Sequence, residues 1–377
     1  MKTVDYITIS CILRTKANRY AKRPSGVRNY AVMMLVCMVL IMLLSIGQRY
    51  PSAVEKYYSQ GFYPYYSYLP KMLVGWIPFS LGDLFYVAIG CFLFISLGKS
   101  IFSLFRKQYP TALRNFLRFT CCGLFLYVFF YLSWGLNYYR QPLHQHLGLK
   151  MADTIRKEDY LEVLDKYIQR ANQLREELQL EDLDRTQAKK ELEKLMEADA
   201  LFAGVLSKTQ VRTKAPISSE LISYFTVTGY FNPFTQEVQV NQQIPIASYP
   251  FTVVHELAHQ MGIGFEDECN FIAFLKLKDH AHPWYAYAAS YETIQYMLRP
   301  LYLRDNSLYQ QYFDKLSPLV KSDFVAERNF WRSYSGWFNT VTDVFYNGYL
   351  KHNNQPEGME RYSMMSRLVM AWEMRKQ

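Results

Sequence analysis

The sequence predicts an α+β fold that is mostly helical, in which three transmembrane helices precede a domain with a small sheet. Three long apolar runs fall within residues 1–140. Residues 141–377 instead place apolar side chains at the three- and four-residue spacing of amphipathic helices, with one stretch typical of paired strands. We therefore predict a cytoplasmic N-terminal arm and a three-helix membrane anchor in residues 1–140, and an extracytoplasmic domain in residues 141–377.

The composition favours a membrane protein and argues against nucleic acid as a partner. Half of the 377 residues are hydrophobic and 17% are aromatic, more than a soluble domain needs for its core. Much of the formal charge of +9 lies in the first 30 residues and in one short loop, a distribution that indicates topology rather than a binding face. Of the six cysteines only Cys269 falls in the extracytoplasmic part, so no disulfide framework is expected.

The apolar runs cover about residues 30–47, 81–105 and 119–134. Basic residues precede the first run, and the loop between the second and third contains Arg106, Lys107, Arg114 and Arg118. Because loops rich in Lys and Arg stay in the cytoplasm, we predict a multi-pass protein of the inner (cytoplasmic) membrane. Its N-terminus is cytoplasmic and its C-terminal domain periplasmic or extracellular. A cleaved signal peptide is disfavoured because Gln48-Arg49-Tyr50-Pro51, rather than small residues, follows the first run.

Between and after these runs the pattern predicts the remaining elements. A Tyr-rich segment at residues 57–68 is expected at the membrane interface. Residues 153–208 are charged and helix-prone, and residues 224–228 and 237–240 predict two short strands around Asn232-Pro233. Helical spacing returns beyond residue 284, at residues 284–301, 324–349 and 361–375.

A metal site is predicted in the pentad His255-Glu256-Leu257-Ala258-His259. Ser248 and Pro250 favour a helix start, and Gly262 with Gly264 a stop, which gives a short helix over residues 250–261. On that helix His255 and His259 share one face, and this spacing lets both imidazoles bind one Zn²⁺. Glu256 can then point to the open coordination position as a general base.

A zinc hydrolase site normally has three protein ligands, and the third must come from another segment. The stretch that begins at Glu266 places Glu266 and Asn270 on one helical face and Glu268 on the other. His280 and His282 are less favoured, because they fall in a polar loop.

The pentad followed by Glu-x-Glu-x-Asn-x-x-Ala resembles the gluzincin peptidases, in which a Glu-x-x-x-Asp on a following helix supplies the third ligand. The resemblance implies a zincin-like metallopeptidase domain with Glu266 as that ligand. Asn270 stands where the family has Asp, so it would orient a zinc histidine by a hydrogen bond without the charge. The spacing is shorter than in most gluzincins, which leaves Glu268 open as an alternative.

A second resemblance covers nearly the whole chain. The three apolar runs, the stretch Trp134-Gly135-Leu136-Asn137-Tyr138-Tyr139-Arg140, the turn Asn232-Pro233-Phe234-Thr235 and the pentad together resemble an uncharacterised family of bacterial membrane proteins, known only as a domain of unknown function. This resemblance implies the same architecture and a zinc-peptidase-like site, and no particular substrate.

The predicted function is a membrane-anchored zinc-dependent hydrolase, a peptidase acting on peptides or proteins, with Glu256 activating a zinc-bound water. Tyr291, Tyr346 and His282 are the candidates for stabilising an oxyanion. The edge of the strand at residues 237–241 could bind an extended peptide, or the strand could serve only the packing of the sheet.

Three other functions would use parts of the same pattern. A zinc amidase acting on a non-protein substrate has the same site, and a membrane-anchored binding module without catalysis could also retain the zinc. An intramembrane protease is disfavoured, because the polar stretches Asn241-Gln242-Gln243 and Glu266-Asp267-Glu268 flank the metal helix. The pattern makes no prediction of oligomeric state.

Overall fold

A computed structural model describes residues 27–198, 201–202, 204–355 and 364–375. Helices make up 71% of the described residues and a three-stranded sheet accompanies them, which confirms a mostly helical fold with a small sheet. The chain divides into two compact units. The first contains residues up to Ile46 together with Leu84–Tyr131, and the second contains Gly47–Asp83 and the chain from Leu132 onward.

The first four long helices are α1 (Val27–Gly47), α2 (Tyr63–Val74), α3 (Leu81–Phe105) and α4 (Tyr109–Ser133). Three of them, α1, α3 and α4, are long and apolar enough to cross a membrane, as predicted. The third candidate span begins at Tyr109, ten residues earlier than the predicted start near residue 119. Arg114 and Arg118 therefore belong to its first turns, and long basic side chains tolerate that place by extending toward the headgroups. The basic arm at residues 1–26 lies outside the described residues.

Within the first unit, small side chains lie where the apolar helices pack together. Ser100 donates from Oγ to the carbonyl oxygen of Ala112 over 2.9 Å, and Ser96 and Ser103 are buried beside it. Small polar residues let apolar helices approach closely and bond across their interface. Large apolar side chains such as Phe94 are exposed on this unit.

The second unit begins with the segment between the first two candidate spans, here called the inter-span segment (residues 51–76). It contains one turn at Pro51–Ala53, a π-helix at Val54–Phe62, and then α2. The Tyr-rich residues 57–68 therefore belong to continuous helical structure.

The other elements of the second unit follow in chain order. They are a 3₁₀ turn at Gly135–Tyr139, α5 (Leu143–His146), α6 (Lys157–Glu176), a 3₁₀ turn at Leu180–Asp182, α7 (Arg185–Glu197), β1 (Thr213–Lys214), α8 (Ser219–Ser223), β2 (Gly229–Asn232), β3 (Glu237–Val240), α9 (Tyr249–Gln260), α10 (Glu266–Leu277), α11 (Pro283–Arg304), α12 (Asn306–Asp314), α13 (Pro318–Ser333), α14 (Trp337–His352) and α15 (Met364–Met374). The apolar stripe of α6, formed by Leu164, Tyr167 and Ile168, is buried in the core.

The sheet has the order β1-β3-β2, with β1 parallel and β2 antiparallel to β3. The predicted strand at residues 224–228 is wrong: that stretch is a turn in which Thr226 has a φ of 55°, and the partner strand is β2 instead. Of the two roles predicted for the strand at residues 237–241, the peptide-binding edge is wrong and packing within the sheet is right, because β3 is central and pairs on both sides. The turn at Asn232 is stabilised by its own Oδ1, which accepts from the backbone N of Phe234 over 2.9 Å.

Candidate metal centre

The helix that bears the pentad, α9, is buried over most of its length. It starts with Pro250 in its first turn, although the Ser248 side chain makes no capping hydrogen bond. It stops at Gly262, whose φ of +89° lies in the left-handed region that favours glycine. The backbone N of Ile263 returns to the carbonyl oxygen of Ala258 over 3.1 Å, which completes a Schellman-type end.

The carbonyl groups at the end of α9 are bound by side chains from distant parts of the chain. Trp134 donates from Nε1 to the oxygen of His259 over 2.9 Å, and the Tyr63 hydroxyl donates to the oxygen of Gln260 over 2.8 Å. Arg140 donates from Nη1 to the oxygen of Gly262, also over 2.8 Å. These side-chain donors add partners to the carbonyl groups at the end of the helix, and they fix the end of α9 that carries His259.

Three side-chain atoms converge beside α9. The Nε2 atoms of His255 and His259 lie 3.2 Å apart, and Oε2 of Glu266 lies 3.1 Å from the first and 3.6 Å from the second. Glu266 is the first residue of α10, which packs against α9 after the break at Gly262. This group of two imidazoles and one carboxylate could hold a metal ion.

The outer nitrogens of both imidazoles are already engaged with acceptors. Nδ1 of His255 lies 2.7 Å from Oδ1 of Asn270, and Nδ1 of His259 lies 2.8 Å from the carbonyl oxygen of Ile263. Since both partners only accept, each neutral ring carries its proton on Nδ1 and presents a lone pair at Nε2. Two lone pairs and a carboxylate oxygen thus face each other, an arrangement that a cation stabilises.

Electrostatics within the site agree with that arrangement. Burial disfavours the charged form of Glu266, but His259 and His255 lower the pKa of Glu266 well below its ordinary value. Its second oxygen, Oε1, accepts a hydrogen bond from the Tyr346 hydroxyl over 2.9 Å. Tyr346, one of the predicted oxyanion candidates, therefore contacts the third member of the group.

Glu256 lies on the same helix and is buried beside the histidines. Burial raises the pKa of Glu256 to about 7, and the positive charge that His255 and His259 can carry opposes that rise. No hydrogen bond to its carboxylate comes from the residues that the structure describes. Its neighbour is Gly229 at the start of β2, where an added Cβ would lie 2.7 Å from Cγ of Glu256.

Other predicted site residues lie elsewhere. Glu268 accepts from the backbone N of Leu143 over 2.7 Å, so the structure brings Glu266, and not Glu268, to the histidines. His282 accepts from the backbone N of Trp284 at the start of α11, and His280 accepts from the backbone N of His282. Tyr291 donates to Glu327 over 2.5 Å.

Several residues that shape the site were not predicted for it. Trp134, Tyr63 and Arg140 support the end of α9, and Gly229 makes room for Glu256. Gly229 carried a usable signal, because a glycine inside a strand often marks the close approach of another group. The two aromatic residues carried none, since the chain has 32 tyrosines and 6 tryptophans from which to choose.

Comparison with known families places the chain. The family model described as "Protein of unknown function (DUF3810)" matches residues 58–370. The chain belongs to this family. The predicted resemblance to a family of unknown function is thereby confirmed, and the matched range includes every residue of the candidate metal centre. The DUF3810 description names no activity, and the resemblance to gluzincins stays a prediction. Comparisons with curated proteins and with solved structures give no match.

Proposed function

We propose that this protein is a membrane-anchored, zinc-dependent hydrolase of the peptidase class. One observation carries the proposal: two imidazole nitrogens and one carboxylate oxygen lie 3.1–3.6 Å apart, next to a buried glutamate on the same helix. A structural zinc site has no use for such a base, whereas a hydrolase needs it.

The donor set fits zinc in both chemistry and spacing. Zinc binds His nitrogen at about 2.0–2.1 Å and carboxylate oxygen at about 2.0–2.2 Å, in tetrahedral geometry. Two ligands at those lengths and at a tetrahedral angle are about 3.3–3.5 Å apart. The three separations of 3.1, 3.2 and 3.6 Å bracket that range. His255, His259 and Glu266 would hold the ion and leave a fourth position open.

The residues around that position have separate roles in hydrolysis. When bound, Zn²⁺ supplies a Lewis acid and lowers the pKa of water toward about 7. Glu256 accepts the proton of the attacking water and delivers it to the leaving amine. Asn270 and Ile263 hold the two imidazoles in the tautomer that keeps Nε2 free. Tyr346 steadies the carboxylate of Glu266.

The position of β2 supports a peptide as substrate. In the described sheet β2 is an edge strand, and its first residue, Gly229, lies directly against Glu256. An extended peptide that pairs with an edge strand satisfies its own backbone groups. Added beside β2, such a peptide would pass close to the general base. The proposed peptide-binding strand is therefore β2, and not the neighbouring β3 that the sequence suggested.

We also propose the orientation of the chain. The short connection between α3 and α4 contains Arg106 and Lys107, which favours the cytoplasmic side. The N-terminus is then cytoplasmic, and the unit with the metal centre faces the periplasm or the exterior. An alkaline phosphatase reporter fused after Gln377 should be active. If the reporter is inactive after Gln377 but active when it is fused after Lys107, the chain has the opposite orientation.

The activity test uses the full chain in detergent, with bound zinc measured by mass spectrometry and hydrolysis by a casein-derived peptide library. We expect about one zinc ion per chain. Glu256→Gln should retain the zinc and lose about 10²–10⁴-fold in turnover. If the wild type and Glu256→Gln both show only background turnover, the hydrolase proposal is wrong. Turnover of N-acyl amides but of no peptide would replace the peptidase by an amidase.

A matched pair of variants tests the third ligand. Glu266→Gln weakens a metal ligand, whereas Glu268→Gln keeps an acceptor for the backbone N of Leu143. We expect Glu266→Gln alone to lower zinc occupancy. Loss of zinc in Glu268→Gln with retention in Glu266→Gln would contradict the assignment.

A further inference from the structure

The inter-span segment has the reverse of the usual amphipathic pattern. Six of its apolar residues from α2 to Trp76 recur at three- and four-residue spacing and are exposed. We call them the aromatic face; its members are Tyr65, Tyr68, Leu69, Met72, Leu73 and Trp76. Tyr65 is 81% exposed and Trp76 is 74% exposed. A stripe this apolar is unfavourable in water, which indicates an apolar surrounding.

The opposite face of the same helix is polar and buried in the second unit. Ser67 and Lys71 both contact Thr209, with Lys71 donating from Nζ over 2.8 Å. Burial lowers the pKa of Lys71 well below its ordinary value. Polar residues thus face the protein and apolar residues face away from it, which is the pattern of a helix at a lipid surface.

The covalent chain determines what covers the aromatic face. The inter-span segment is joined at one end to α1 and at the other to α3, two helices able to cross a membrane. Its ends therefore emerge at the same membrane surface. Trp and Tyr are enriched in the headgroup layer, where an apolar ring and a polar group are both accommodated. The occupant that fits is the lipid headgroup layer.

The same segment supports the metal helix directly. The hydroxyl of Tyr63, in the first turn of α2, binds the carbonyl oxygen of Gln260. Trp134, the residue after the end of α4, binds the carbonyl oxygen of His259, and their rings lie 6.0 Å apart. The backbone N of Gly82, at the start of α3, donates to Glu237 on β3 over 2.6 Å. Membrane-proximal residues therefore contact both α9 and the central strand.

We infer that the aromatic face binds the headgroup layer and holds the metal centre at the membrane surface, so that its substrates are polypeptides anchored in the same membrane. The substrate half of this inference rests on the proposed hydrolase. A helix of 25 residues is about 38 Å long and exceeds a hydrocarbon core of about 30 Å, which places Trp134 in the headgroup layer. Cleavage would then fall within about five extended residues of the membrane exit of a substrate.

The membrane contact can be tested without any activity. A photoreactive benzoylphenylalanine replaces Tyr65 in the full chain, reconstituted in phosphatidylethanolamine–phosphatidylglycerol vesicles. Tyr302 is the matched control, because it is also an exposed tyrosine but lies on α11, whose Trp284 ring stacks on that of Tyr249 at the opposite end of α9. We expect lipid adducts at position 65 and at least 10-fold fewer at position 302. Equal yields, or none at position 65, would overturn the inference.

The substrate class is tested with one cleavable peptide in three forms. The casein-derived peptide turned over best is used free, or attached to a transmembrane helix through a spacer of about 5 or about 25 residues, with the enzyme in the same vesicles. We expect the short-spacer form to be cleaved at least as fast as the long-spacer form. Cleavage of the long form alone would show a site far from the membrane and overturn the inference. If Glu256→Gln lowers hydrolysis of none of the three, the proposed hydrolase fails, while the crosslinking result stands on its own.

Discussion

Tyr346 donates a hydrogen bond to Oε1 of Glu266 over 2.9 Å, while Oε2 of the same carboxylate faces the two histidines. A bond of this kind orients a metal ligand, and its loss typically lowers metal affinity by about 10–100-fold. We therefore expect Tyr346→Phe to raise the zinc Kd by about 10-fold in a chelator competition assay. Tyr349→Phe, on the same helix but bonded to Tyr138, is the control. An unchanged Kd in Tyr346→Phe would contradict this role.

Two substitutions of Asn270 should change the zinc Kd in opposite directions. Its Oδ1 accepts from Nδ1 of His255 over 2.7 Å, so Asn270→Ala removes the acceptor that fixes the imidazole. We expect a zinc Kd about 10–100-fold higher for that variant. Asn270→Asp keeps the acceptor and adds a charge, which should increase ligand basicity and lower the Kd below that of the wild type. Equal affinities in all three proteins would show that the bond does not support the metal.

Gly229 should be needed for activity but not for metal. A Cβ at this position would lie 2.7 Å from Cγ of Glu256 and 3.0 Å from the carbonyl oxygen of Gln239. Because Glu256 has to move, we expect Gly229→Ala to retain zinc and lose at least 10-fold in kcat. Gly348→Ala is the matched control, since no atom lies within 4 Å of its added Cβ. Full activity in Gly229→Ala would exclude the proposed position of the base.

The buried pair of Arg140 and Glu55 should make stability depend on pH. The Arg140 Nε atom donates to Oε2 of Glu55 over 2.8 Å. Burial disfavours the charged form of Glu55, but His146 and Arg140 lower its pKa to about 2 from 4.5. A depressed carboxyl pKa contributes stability above pH 4.5, and that contribution is lost as the pH falls toward 2. We therefore expect the apparent Tm of the full chain to decrease as the pH is lowered from 4.5 toward 2.

Removing the cation tests the same pair. Arg140→Met leaves the buried Glu55 charge with only His146 beside it as a possible cation, and breaking a buried pair typically costs about 3–5 kcal/mol of unfolding free energy. Acidification should then raise, rather than lower, the stability that depends on Glu55. Lys157→Met, which breaks the exposed pair with Asp305, should cost less than about 1 kcal/mol. Equal losses of unfolding free energy in the two variants would show that the buried pair contributes no more to stability than the exposed pair.

The parts of the site that the sequence could predict are those encoded locally. His255 and His259 meet because they are four residues apart on one helix, and Glu266 with Asn270 repeats that spacing on the next helix. The glycine break at Gly262 brings the two helices together. These relations need only helical geometry, so one sequence is enough to propose them.

The remaining features depend on contacts between distant segments. Trp134 and Tyr63 reach α9 from positions more than one hundred residues away, and nothing in their local pattern marks them. The strand β2 was missed because Gly229 and Asn232 are residues that strands usually avoid. The β-branched and aromatic stretch before it favours a strand, but a local turn forms there, in which the backbone N of Thr226 donates to the carbonyl oxygen of Ser223 over 2.9 Å.

The second unit is discontinuous in the chain, since Gly47–Asp83 and the chain from Leu132 onward fold together. During synthesis the donors to the carbonyls at this end of α9, Tyr63, Trp134 and Arg140, are all translated before the pentad, close in the chain to the candidate spans. In the proposed orientation the candidate metal centre would therefore be completed next to the bilayer. A protease that cuts just after residue 140 would separate the candidate metal centre from these donors, so a shed fragment would lose the side chains that fix the end of α9.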